Sequence, residues 1–401
     1  MADADLERPT LTRRDVLAFR WRAQGLDAEP GSVRDLDALP VLDLGVQDTG
    51  GDGALWALVA RGLAAQDDDP WAGLALAWTL RGAPHAYRRR DLADVAVATS
   101  PFSPADAAKR VFDAARPLRA AGVPVLDSLR EIAALERELV AEPTVKGELS
   151  TRLTPLLRPE QVRWCNPCQA THSWEMPFRL AALHAGLELE PGTSPPVLRR
   201  APGLAPAGFA RTAADAEPRF DVVRAYLRLF GPATVREIAA YVDAPPRDVE
   251  AHRPDDAVEV AVADVEPTRL RGRPEPRWML ADDPARARAA GESSASDSDA
   301  RAGRVHLLGP FDPYLQLRDR ATLVPDTGRQ KDLWRTLGRP GALASGGEVL
   351  GTWRPRTSGR RLTVRVEPWA PLDAVTWAAV DEDAERLAAF RGVTLAGVER
   401  G

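Results

Sequence analysis

Cysteine is nearly absent. Only Cys165 and Cys168 occur in 401 residues, which excludes a disulfide framework and favours a reducing compartment. Lysine is almost as scarce, confined to Lys109, Lys146 and Lys331, so nearly all the positive charge is arginine. A GC-rich coding sequence is the plain explanation of that bias, although planar guanidinium forks also suit phosphate contacts. No apolar run approaches the ~18 residues that a membrane span needs, and the stretch 54–65 is broken by Arg61. The first ten residues mix Asp, Glu and Arg and lack the apolar centre of a signal peptide. A soluble cytoplasmic protein without membrane association is expected.

What is present is globular in kind, at 44% hydrophobic and 28% charged residues, and long enough for roughly two to four folding units. A net charge of -5 excludes a uniformly basic surface but leaves room for a local positive groove. Thr12 is placed to cap a first helix over 11–26, stopped by Gly25. Asp52 is placed to cap a second through Leu55, Leu58 and Leu63, and a third helix is expected over 71–80, so the region 1–103 reads as helical with little strand. In 104–215, Ser103-Pro104 opens one helix, 125–140 forms another, and Thr144 precedes a short third, which is a helix-turn-helix rhythm. In 216–284, Val222, Val223, Tyr226, Leu227 and Phe230 share one helical face, and Thr234 caps the next helix. Pro245-Pro246 opens a third, and 258–265 with 269–278 make a two-stranded wing. Segment 285–303, rich in Ala, Arg, Ser and Asp, reads as a flexible linker. Region 304–401 carries strands near 305–308, 348–353 and 361–367 and a helix over 381–390. The fold class is α+β: mainly helical tandem winged-helix units with short β-wings and a C-terminal β-hairpin region. No repeat is visible by identity.

Several phrases together resemble the winged-helix DNA glycosylases of the AlkZ type. They are Gly45-Val46-Gln47, the block 54–62, Trp78-Thr79-Leu80-Arg81-Gly82-Ala83-Pro84-His85, Tyr226 to Thr234, Leu307 to Asp312, Arg318-Asp319-Arg320 and Thr352 to Arg356. The resemblance implies winged helices curved around duplex DNA, no metal or other cofactor, and hydrolysis of the glycosidic bond of bulky or cationic alkylated bases, crosslinks included. It also implies a catalytic signature of glutamine, any residue, then glutamine or aspartate. Here Gln47-Asp48-Thr49 matches at the first position and departs at the third. The phrase 81–85 departs too, since the family carries Thr-Leu between the glycine and the histidine.

An N7-alkylated purine is already cationic and leaves readily, so the protein must hold a water near C1′ and stabilise an oxocarbenium-like sugar. Gln47 is suited to hold the water, Asp48 to supply negative charge or act as base, and Thr49 to hydrogen-bond it. The competing reading makes Asp48, Thr49 and Asp52 turn and cap residues. No lysine lies near Gln47, so no lyase step is expected. His85 and Arg81 are candidates for DNA contact, with a turn-capping histidine as the alternative; Trp78 reads as core or, less readily, as a stacking residue. Arg354, Arg356, Arg360 and Arg361 surround the C-terminal hairpin tip, and Arg269, Arg271, Arg273 and Arg277 lie on the wing. Each set is read as a DNA-backbone contact or as a solvated surface, whereas Arg88-Arg89-Arg90 reads as surface. Cys165-Asn166-Pro167-Cys168 with His172 superficially suggests zinc, but only Glu175 or His184 is near enough to complete four ligands, so buried thiols are the preferred reading and no metal is expected. A monomer bound to duplex DNA follows, with a non-catalytic winged-helix DNA-binding factor as the alternative to a monofunctional glycosylase.

Overall fold

The computed structural model describes residues 8–64, 69–296 and 304–401. The third unit forms as its sequence dictates. Asp221 accepts from the amides of Val223 and Arg224 to start the helix Val222–Phe230. Thr234 and Glu237 form a reciprocal capping box for Val235–Val242, and Pro246–Ala251 follows. Strands Ala257–Val262 and Arg277–Leu280 pair antiparallel, with the small ribbon Arg269–Leu270 and Arg273–Pro274 at the wing tip. The rings of Tyr226, Phe230 and Tyr241 meet in its core. Thr10–Leu11 adds a parallel strand beside Ala257–Val262, so the start of the described chain is bound into this unit.

The region 1–103 differs from expectation. Leu74–Trp78 is a strand, not a helix, and it is buried along its whole length. It lies inside a six-stranded sheet ordered Val46–Gln47, Pro84–Arg88, Leu74–Trp78, Leu187–Leu189, Val197–Arg200, Thr144–Val145. One face carries Leu76 and Trp78 against Leu129, Ile132, Leu149 and Phe178; the other carries Ala75, Ala77 and Tyr87 against Leu92, Val95 and Leu183. A strand covered on both faces shows no alternation, and a short continuous apolar run cannot be told from a helix by periodicity. Because the sheet takes strands from both sides of position 103, the segments 1–103 and 104–215 share one framework. Between these strands, helices Val125–Leu139 and Lys146–Leu153 and the hairpin Val162–Cys165/Ala170–Ser173 make the second helix-turn-helix with its wing.

The expected linker is corrected in part. Asp283–Ser296 is a helix laid against Arg13–Ala23, where Gly291 lets Asp15 approach: a Cβ there would meet the Asp15 carboxylate at 1.9 Å. Its alanine-rich composition carries helix propensity without needing a marked apolar stripe. The remaining residues 297–303 lie outside the described residues. At the C-terminus a five-stranded sheet runs His306–Leu308, Gly341–Ser345, Glu348–Ser358, Arg361–Pro368, Thr394–Arg400. Leu362, Val364 and Val366 pack with Val380, Ala384 and Leu387 of the helix Ala374–Phe390.

Two fully buried charge clusters tie these parts together. Arg61 donates to both carboxylate oxygens of Asp312, at 2.9 and 2.8 Å, and also to Gln24 at 3.1 Å. Asp319 accepts from Arg20 and from Arg277, each at 2.8 Å. Burial alone would raise the Asp319 carboxyl, but Arg20 and Arg277 outweigh it and hold it below the ordinary carboxylate range. Arg277 therefore belongs to the interior and not to the wing surface. Removing one partner of such a pair leaves an uncompensated buried charge, at a cost of about 3–5 kcal/mol. Asp312→Ala is accordingly expected to lose stability on that scale in urea unfolding.

Glu136 is a different case: it is buried with both carboxyl oxygens lacking a partner, and burial pushes it well above its usual range. The unfolded residue titrates at about 4.3. Below that pH both states keep the proton; above it the unfolded chain loses the proton first, so stability falls with pH until the folded group titrates. Glu136→Gln is expected to stabilise the protein at pH 7 and change little at pH 4, by ~1.4 kcal/mol for each pH unit by which pH 7 exceeds the unfolded titration while the folded group keeps its proton. Urea unfolding at the two pH values checks this.

Candidate nucleic-acid interface and active site

Gln47 is delivered by a tight turn. Gly45 takes φ +89, and any Cβ there would strike the Tyr87 ring at 2.4 Å. The short strand then pairs Val46 with Ala86 and Gln47 with His85, and the Asp48 amide reaches the Pro84 carbonyl at 2.9 Å. Beneath it runs a buried polar chain. The His85 Nδ1 lies 2.9 Å from the Ala83 carbonyl, which can only accept, so Nδ1 carries the proton. It shares that proton with Thr79 Oγ1 at 3.0 Å, whose hydroxyl in turn meets Tyr87 at 2.8 Å. Burial, reinforced by Arg81, depresses the His85 pKa to about 3, so the imidazole is neutral at physiological pH. This corrects the reading of His85 as a DNA contact: at 1% exposure it orders the Thr79–Tyr87 turn instead. Trp78 is core, packed on Phe178 and covered by Arg179.

The three candidate catalytic residues diverge. Asp48 is buried, and its Oδ1 accepts from the Ala54 amide at 3.0 Å, so it takes the role expected of Asp52 at the start of the helix Gly53–Val59. Burial raises its pKa, with the Ala54 amide pulling the other way and Asp52 adding to the rise. Asp52 makes no cap and instead pairs with Arg391 at 2.7 Å. Thr49 is exposed on the following turn. Gln47 is half-buried, and its Oε1 accepts from Gln316 Nε2 at 2.9 Å. Gln316 lies 269 positions away, and no motif or periodicity marked it.

Two residues beyond Gln316 a row of arginines begins. The charge of Arg81 acts on Arg318, that of Arg318 on Arg339, and that of Arg339 on Arg320. Burial first, then this mutual repulsion, lowers the pKa of Arg318, Arg320 and Arg339. Among the described residues no carboxylate pairs with any of the four. Arg81 sits over Tyr241 at 4.8 Å, Arg320 over Trp334 at 4.9 Å and Arg339 over Phe311 at 4.6 Å, so aromatic floors orient three of them. The Arg81 backbone holds φ +58, a strained conformation fixed by a hydrogen bond from its guanidinium to the Tyr241 carbonyl. Arg318 and Arg339 each leave a buried Nε without an acceptor.

The C-terminal hairpin presents a second basic surface. Register places Arg354 opposite Arg365 and Ser358 opposite Arg361, so Arg354, Arg356, Arg361 and Arg365 share the face opposite the buried Leu362 and Val364. Arg360 stands at the tip beside Gly359 at φ +58. The face is partly compensated within the chain, since Arg365 pairs with Glu367 at 3.0 Å and Arg354 donates to the Gly338 carbonyl at 2.6 Å. Arg269, Arg271 and Arg273 are exposed at the wing of the third unit. The basic triplet divides: Arg88 is buried on Asp43, Arg89 reaches buried Glu188, and only Arg90 is exposed.

Guanidinium groups that feel one another's charge, with no carboxylate partner among the described residues, make a locally positive surface of the kind that suits a polyanion. The class is a winged-helix DNA-binding protein. The chain belongs to the AlkZ-like DNA glycosylase family, whose model, described as DNA glycosylase AlkZ-like, matches residues 41–390. Among solved structures it is similar to Streptomyces sahachiroi DNA glycosylase AlkZ, with a TM-score of 0.68 at 21% sequence identity, covering 98% of this chain and 100% of that one. No curated protein sequence matches. Among the described residues no helix is long and apolar enough to cross a membrane.

If the arginine row tracks the DNA backbone, replacing Arg318 and Arg339 together by alanine flattens the salt dependence of duplex binding by roughly 1.8 log units per log unit of salt, at 0.9 for each phosphate contact. Fluorescence anisotropy over a salt series measures it; an unchanged slope removes the row from the interface.

Proposed function

We propose that the chain is a monofunctional DNA glycosylase that hydrolyses the N-glycosidic bond of bulky or cationic alkylated bases, crosslinked bases among them, in duplex DNA. It acts as a monomer in the cytoplasm; residues from both ends of the chain build the site, so a second copy is not required. The observation that carries this reading is the Gln47–Gln316 hydrogen bond at the head of the arginine row, which has no carboxylate partner among the described residues. Because Gln47 Oε1 is occupied by Gln316, the Gln47 amide nitrogen remains a donor and the Gln316 oxygen an acceptor, which suits one water held between them. Thr49 departs from the family signature, and Gln316 supplies a second carboxamide from another part of the chain. Asp48 contributes negative charge beneath the sugar while fixing the turn that carries Gln47. Arg81, the row behind it, the wing arginines Arg269, Arg271 and Arg273, and the hairpin set Arg354, Arg356, Arg360 and Arg361 hold the phosphates.

The cationic leaving base needs no strong acid, so the work left to the protein is placing water and stabilising the charged sugar. Purified protein is expected to release N7-methylguanine from duplex DNA. Gln47→Ala lowers the single-turnover rate by about 100-fold, the scale of losing one preorganised polar group, with duplex affinity little changed. Binding with no base release from any of a panel of alkylated duplexes would contradict the catalytic reading and favour a binding factor.

A further inference from the structure

The wing of the second unit carries three side chains that the DNA site does not use. We propose that Cys165, Cys168 and His172 form a zinc site that clamps the hairpin Val162–Ser173. One ligand atom from each residue lies within 4.8 Å of the others. The local fold explains the approach. Cys165 ends the outgoing strand and His172 lies on the returning one, where Cys165 faces Ala170 and Arg163 faces His172. The cysteine and histidine are thus diagonal neighbours on one face of the ribbon. The loop between them turns at Gln169, φ +50, and brings Cys168 back beside them.

The histidine is oriented for a metal. Its Nδ1 lies 2.7 Å from the Ser173 carbonyl, which can only accept, so Nδ1 bears a proton and Nε2 is the nitrogen left to face a metal. A ring nitrogen tied to a backbone carbonyl is the usual support of a metal-binding imidazole. Two thiolates and an imidazole suit zinc by softness, and the two thiolate charges balance the ion. The other residues considered as ligands are spent elsewhere: Glu175 holds Lys146 at 2.7 and 2.9 Å, and His184 stacks on Phe209 at 3.6 Å. Three protein ligands leave one tetrahedral position open on the exposed Cys168 side, the coordination of an open zinc site whose fourth ligand would be water.

The hairpin is held at its base, where Ser173 is buried and Arg163 lies over Trp174 at 5.2 Å, but its outer part has little apolar cover. It is a two-stranded sheet by itself, and Arg163, Trp164, Ala170 and Thr171 are all exposed, Trp164 at 56%. Ribbons of this size with little buried apolar surface are marginal in water. A metal joining both strands and the loop would add a cross-link at the exposed end, as in other small zinc-bound folds.

The test uses the full, reduced protein. Zinc is expected at one equivalent after reconstitution, and cobalt(II) in its place gives a thiolate-to-metal charge-transfer band with tetrahedral ligand-field absorption. Cys168→Ser and His172→Ala, at exposed and half-buried positions, each weaken zinc binding on the order of 100-fold against a chromophoric chelator. Zinc slows amide hydrogen exchange across residues 162–173 in the parent protein and not in the variants. A reduced parent without the thiolate–cobalt band, or variants that bind zinc as tightly as the parent, overturns the proposal. None of these readouts depends on base release, so the glycosylase reading stands or falls separately.

Discussion

Two buried aspartates, Asp312 and Asp319, hold the separate parts of this molecule in register. Asp312 receives Arg61 from the end of the helix that follows Gln47, and Asp319 receives Arg20 from the first helix and Arg277 from the third unit's wing strand. Ion pairs in a low-dielectric interior add little net stability over apolar packing, but they tolerate no displacement, because a partner left alone in the interior is costly. The segment between them is therefore fixed from both ends. Gln316 lies in that segment, and Arg318 and Arg320 flank Asp319, so the pairs that lock the fold also set the carboxamide against Gln47 and aim the two guanidinium groups.

The same side chain thus does two physically opposite jobs. Arg20, Arg61, Arg88 and Arg277 are buried against carboxylates and belong to the scaffold. Arg81, Arg318, Arg320 and Arg339 are half-buried, have aromatic rings or each other for neighbours, and carry no carboxylate among the described residues. Holding like charges near one another in the free protein costs electrostatic energy, and in the proposed function a phosphate backbone returns it on binding. A chain of net charge -5 thus keeps a locally positive surface. Net charge describes the whole surface, whereas affinity depends on which charges are already neutralised by their own neighbours.

What the sequence revealed follows the range of the forces involved. The third unit was legible because its signals are local: the Thr234–Glu237 box, the amphipathic face of Val222–Phe230 and the β-branched wing strand. Leu74–Trp78 was misread because burial on both faces erases the alternation that identifies a strand. The helix Asp283–Ser296 was read as linker because small residues packing against Arg13–Ala23 leave no marked apolar period. Gln47 was found through a motif, but Gln316 was not, since a hydrogen bond between residues so distant in sequence leaves no local trace. The zinc ligands were visible as a spacing and were set aside for want of a fourth protein ligand; only the hairpin register and the His172–Ser173 bond show how three converge.

The central claim is that Gln47 and Gln316 act on the reaction as one unit, positioned by the Asp312 and Asp319 pairs. A double-mutant cycle on the single-turnover rate of base release, built from Gln47→Ala, Gln316→Ala and the combination, tests it most directly. If the two carboxamides hold one water together, the double variant is no slower than the slower single variant. Losses that multiply, as for independent sites, would contradict the account.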